Sequence, residues 1–255
     1  MKRSRPMPAS RASSGPIPAA RCMQPHAGGG ASPAGAADQQ GPPGDAHALP
    51  AWLGAAVAAV GGFVILVLEI VGARYLARDF GSSFYVWVSQ IGVVMVALAL
   101  GYYVGGALAD RWRRPGRLTW LLVPTGGFVY VIPRLAPPVL ETLVNRHPPD
   151  EPIPPVWQKL DPALGSAVVF LLPCFVLAML SPYFIRLSSR QIAHVGRISG
   201  LIIAASTAGS IAGVFVAGYL LVDLMSLSAI FRGCGLAILF LAAVCWIVDR
   251  RYRRA

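Results

Sequence analysis

A chain of 255 residues that is 55% hydrophobic and only 13% charged departs from soluble domains, which carry about 25% charged residues. Its formal charge of +11 is not the footprint of a nucleic-acid binder, because the basic residues sit at the ends of apolar runs and in the tails, with no aromatic-interleaved stripe. Cys22, Cys174, Cys234 and Cys245 have no ligand spacing among themselves or with the four histidines, so no metal, cofactor or disulfide framework is expected.

Residues 1–48 are rich in Pro, Ala, Gly and Ser and lack hydrophobic periodicity, which predicts a disordered cytoplasmic tail. A membrane domain is expected over 49–249, built from six spanning helices. Helix 1, about 51–76, is uncharged up to Glu69. Gly54, Gly61, Gly62, Glu69 and Gly72 share one face, so the carboxylate should point toward packed helices rather than lipid. Arg74 and Arg78 close the helix, and Asp79-Phe80-Gly81 turns the chain.

Helix 2, about 84–109, opens with the interfacial aromatics Tyr85 and Trp87. Ala97, Gly101, Gly105 and Ala109 recur every four residues and stack on one face, where small side chains admit a close neighbour. The run then breaks into Asp110, Arg111, Arg113, Arg114 and Arg117, with Trp112 as an interface anchor. Helix 3, about 118–135, should kink at Pro124 and Gly126-Gly127. Residues 136–161, with PPDEPIPP, read as too polar to span and as an outer loop or interfacial turn.

Helix 4, about 163–185, has Pro173 and Pro182 as kink sites, and Arg186, Arg190 and Arg197 follow as a short basic loop. Helix 5, about 198–222, is rich in small residues, with Gly209 and Gly213 as packing positions and Ser206, Thr207 and Ser210 as packing or polar-site hydroxyls. Asp223 marks a tight turn. Helix 6, about 228–248, carries Arg232 near its start, and a basic C-terminus occupies 250–255.

Basic residues concentrate in the tail, after helices 2 and 4, and at the C-terminus. The intervening connections hold only Arg74, Arg78, Arg134, Arg146, Lys159 and Arg232. That bias predicts cytoplasmic N- and C-termini and a multi-pass protein of the bacterial inner membrane.

Gly106-Ala107-Leu108-Ala109-Asp110-Arg111, followed by Arg114, resembles the major facilitator signature between helices 2 and 3. The resemblance implies a cytoplasmic gate formed by Gly106, Asp110, Arg111 and Arg114, against ordinary stop-transfer charge as the plain alternative. Gly200, Gly209, Gly213 and Gly218 resemble the glycine pattern of that superfamily's fifth helix, with Val214 where its proline stands. A closer resemblance covers nearly all of residues 60–232. LEIVGARYLARDFGSSFYVWVSQIGVVMVALALGYYVGGALADR and VGRISGLIIAASTAGSIAGVFVAGYLL are similar to the membrane domain of the fused facilitator–spermidine synthase family.

That resemblance implies a major-facilitator-like half bundle and a link to polyamine-like chemistry. The soluble synthase domain of the family is not expected on this chain, so no residue is assigned a catalytic role. Two functions follow from it. One is a transporter-like or sensing module for a small solute, working as a homodimer. The other is a non-transporting anchor or partner for a separately encoded aminopropyltransferase-like enzyme. Within the bundle, Glu69 is the candidate buried charge: either a structural ion pair with Arg74 or Arg232, or a proton- or cation-coupled site.

Overall fold

A computed structural model describes residues 49–146, 154–189 and 195–254, the last three of these as backbone. The expected tail at 1–48 lies outside the described residues, as does Arg190. Six helices follow: α1 Ala51–Phe80, α2 Phe84–Arg111, α3 Gly116–Val144, α4 Pro155–Ser188, α5 Val195–Leu224 and α6 Leu227–Arg254. Each contains an 18-residue stretch apolar enough to cross a bilayer. The chain is an all-α polytopic membrane protein.

The main helix pairs are α1 with α5, α2 with α4, and α3 with α6. Exchanging the first three helices with the last three leaves this pairing unchanged. Burial obeys the same exchange. Within the most apolar stretch of each helix, 61% of residues are buried in both α1 and α4, 33% and 44% in α3 and α6, and 22% and 17% in α2 and α5. A repeat of three spans reverses direction at each copy, so the two halves stand inverted across the membrane. Helices α1 and α4 form the centre, and α2 and α5 present the most open faces.

The helices exceed their expected lengths, most of all at 136–161. Helix α3 continues through Pro133, Pro137 and Pro138 to Val144, and α4 begins at Pro155. Leu118, Leu122, Thr125, Gly126, Val129, Ile132, Ala136 and Leu140 form one buried stripe along α3. Pro124, Pro137 and Pro138 lie on its exposed side and Pro133 at its margin. The missing backbone hydrogen bonds therefore fall away from the packed face, and the stripe carries the helix past them. Pro155 occupies the first turn of α4, where its absent N–H costs nothing. Only 147–153 of the expected outer segment fall outside the described residues.

Both expected kink sites in α4 carry irregular backbone. A π-helical stretch, Ala167–Leu171, precedes Pro173, and a turn at Met179 precedes Pro182. Each proline ring crowds the carbonyl four residues earlier, and the local change of winding relieves that clash. Gly81, with a φ of 77°, ends α1 and turns the chain toward α2. At the C-terminus α6 stays helical to Arg254, so the basic residues 250–254 extend the last helix rather than form a separate tail.

Candidate functional site

Glu69 stands about 5 Å beyond the midpoint of α1 along its axis. It is half-buried, and its backbone carbonyl accepts a 2.6 Å hydrogen bond from Nε2 of Gln90 on α2. Gln90 is 1% exposed, and its Oε1 has no hydrogen-bond partner among the described residues. The close approach that brings these helices together depends on Gly72. A Cβ there would collide with the Phe170 ring and lie 2.8 Å from Gln90 Nε2. Phe170 in turn stacks on Phe231 of α6 at 6.4 Å, and Phe231 meets the edge of Tyr75 at 5.3 Å.

Neither expected cation comes to this carboxylate. Arg74 and Arg232 both lie on exposed faces, and among the described residues neither forms an ion pair with Glu69. Arg232 follows Phe231, whose ring fills the core, so the helical turn sends the guanidinium outward. Gln90 is the member of this group that the sequence reading missed. Its signal was a lone carboxamide within the uncharged first half of helix 2.

At the opposite end of the bundle, Asp110 pairs across helices. Nε of Arg186 on α4 donates to its Oδ1 at 2.6 Å, with side-chain exposures of 49% and 64%. Arg111 and Arg114 are exposed and form no pair with Asp110 among the described residues. The hydroxyl of the fully buried Tyr183 points between the carbonyls of Trp112 and Arg114, 2.5 and 2.7 Å away. The Arg117 guanidinium lies 5.5 Å from the Trp112 ring centre. These contacts hold the α2–α3 connection on α4. Gly106 faces open space, and a Cβ there would meet nothing within 4 Å.

The four packing glycines sit at backbone contacts. A Cβ on Gly101 would strike the carbonyl of Phe175, and one on Gly105 would lie 2.6 Å from Met179 Cα. On α5, Gly209 faces the backbone of Ala59, and a Cβ on Gly213 would lie 2.5 Å from the Phe63 carbonyl oxygen. Ser206 and Ser210 pack on Gly62, whereas Thr207 donates to Ile203 O of its own helix at 3.0 Å. Comparison of the chain with protein-family models, curated proteins and solved structures returned no match.

Proposed function

We propose that this membrane protein is a transporter-like or solute-sensing module in which Glu69 couples ion or proton binding to the state of the bundle. The observation that carries the reading is a carboxyl group deep within α1 that has no cation partner among the described residues, on a residue whose backbone carbonyl holds the buried, half-satisfied Gln90 amide. A carboxyl group at membrane depth is costly and is retained for a pathway, a relay or a structural pair. Without a pairing arginine among the described residues, the neutral acid is tolerated, and the anion is open to a cation that arrives from solution. Glu69 thus has two states distinguished by what it binds.

Two further features support this reading. The helix pairing is invariant under exchange of its two three-helix halves, as in transporters built from inverted repeats. The motifs around Asp110 and along α5 resemble those of the facilitator–spermidine synthase membrane domain, which brings polyamine-like solutes into the substrate class. On this reading the protein is a facilitator-like half bundle of the bacterial inner membrane and works as a homodimer.

The test is flux in liposomes that enclose a pH dye, challenged with spermidine and a panel of small cationic and neutral solutes. At least one solute should drive proton movement in the wild type, and Glu69→Gln should reduce it at least tenfold with an unchanged size-exclusion profile. Undiminished flux in the variant would remove Glu69 from the mechanism. Aggregation of the variant would assign Glu69 to structure.

A further inference from the structure

A second group of residues lies where α1 ends, α2 begins, α3 ends and α4 begins, which is one end of the bundle. They enclose a cavity of about 340 Å³. Among the described residues its wall contains two carboxylates, Asp79 and Asp161, and three aromatic rings, Phe80, Tyr85 and Trp157, with Arg146 and Lys159 at the rim. Helix packing shapes the described wall of the cavity. Phe80 lies against Gly165 of α4, where a Cβ would come within 2.8 Å of the ring, and Gly81 makes the turn between the two lining segments that carry Asp79 and Tyr85.

The rim shows which ligands these walls attract. The Arg146 guanidinium stands 4.1 Å from the Trp157 ring centre and donates to Asp161 Oδ1 at 2.5 Å. The Lys159 ammonium lies 5.3 Å from the Tyr85 ring centre. Two of the three rings already carry a cation tethered to the chain itself. Asp79 is exposed and has no ion pair among the described residues. An anion would meet the Asp79 carboxylate here, which has no compensating cation among the described residues. A neutral apolar ligand would strip that carboxylate of water with no compensation. A hard metal ion requires a shell of six or more oxygens, and much of this wall is aromatic. Ring faces combined with carboxylate suit an organic ammonium group.

We propose that this cavity binds the ammonium group of a small organic amine, seated against Phe80, the lining ring that carries no cation among the described residues, and neutralised by Asp79. The amine can be a free solute or the headgroup of an aminophospholipid, since the cavity lies at helix ends, where headgroups lie. The inference does not rest on Glu69 or on transport: a chain that moves nothing would still bind here.

The test titrates n-butylammonium, with n-butanol as its neutral counterpart, into the full chain held in phosphatidylglycerol nanodiscs. Saturable binding of the amine alone is expected, weakened at least tenfold by Asp79→Asn, an exposed position whose change should leave the fold intact. Repeating the titration with phosphatidylethanolamine in the discs separates the sources. Unchanged affinity identifies a solute site, and suppressed binding identifies the lipid headgroup. The proposal is overturned if n-butanol binds equally, if Asp79→Asn binds like the wild type, or if no saturable binding occurs. Glu69→Gln should bind the amine as the wild type does, so failure of the transport reading and failure of this one register separately.

Discussion

Gly209 and Gly213 stand one turn apart on α5, and each meets the backbone of α1 rather than a side chain. A backbone cannot swing aside as a rotamer can, so an added side chain must push the two helices apart. Overpacking of this kind costs about 1–3 kcal/mol. Gly213→Val is therefore expected to lower the melting temperature in detergent clearly, followed by tryptophan fluorescence. Gly200→Ala and Gly218→Ala are the internal controls, because a Cβ at either position meets nothing within 4 Å. They should stay within about 0.5 kcal/mol of the wild type. Equal losses at all three positions would show that α1 and α5 do not touch as described. Gly106 belongs with the controls for stability. If Gly106→Ala impairs function without loss of stability, that glycine works against something outside this chain's own packing.

At the scale of helices, two contacts tie the α2–α3 connection to α4, and they should differ in strength. The Asp110–Arg186 pair is exposed on both sides, so solvent screening leaves it at most about 1 kcal/mol. The Tyr183 hydroxyl is buried, and its removal deletes its hydrogen bonding to the connection, at about 0.5–1.5 kcal/mol unscreened by solvent. Tyr183→Phe is thus expected to destabilise the protein more than Asp110→Asn in the same thermal assay. The reverse order would mean that the acidic residue carries the structural tie. Neither partnership was legible in the sequence. Arg186 lies 76 residues from Asp110, and nothing local marks the pairing. The six apolar runs, the small-residue faces and the Pro173 and Pro182 irregularities were legible, because each is a local pattern along one helix. The reach of α3 was not. Counting prolines and charges ignores which face they occupy, and here the buried stripe outweighs them. Gln90 was overlooked for a related reason: an uncharged amide leaves an apolar run intact on a charge count, yet once buried it must find partners.

For the whole molecule, an even number of spans puts both helical termini, α1's start and α6's end, on the same side of the membrane. That side also receives the α2–α3 and α4–α5 connections, with Arg111, Arg113, Arg114, Arg117 and Arg186. The opposite end gathers Asp79, Glu141, Asp161 and Asp223, and two of its cations, Arg146 and Lys159, are drawn onto aromatic rings there. Positive charge near helix ends retains the flanking segment in the cytoplasm, whereas acidic residues have little say. Green fluorescent protein fused after Arg254 should therefore fluoresce in a bacterial host. Alkaline phosphatase should be active when fused after Asn145 and inactive when fused after Arg117. The opposite pattern would invert the molecule and turn the aromatic–carboxylate cavity toward the cytoplasm, where it would meet intracellular amines. In the expected orientation that cavity opens outward, and Glu69 lies between it and the basic face. A cation arriving from outside would then meet the ring-lined cavity before it could approach the membrane carboxylate.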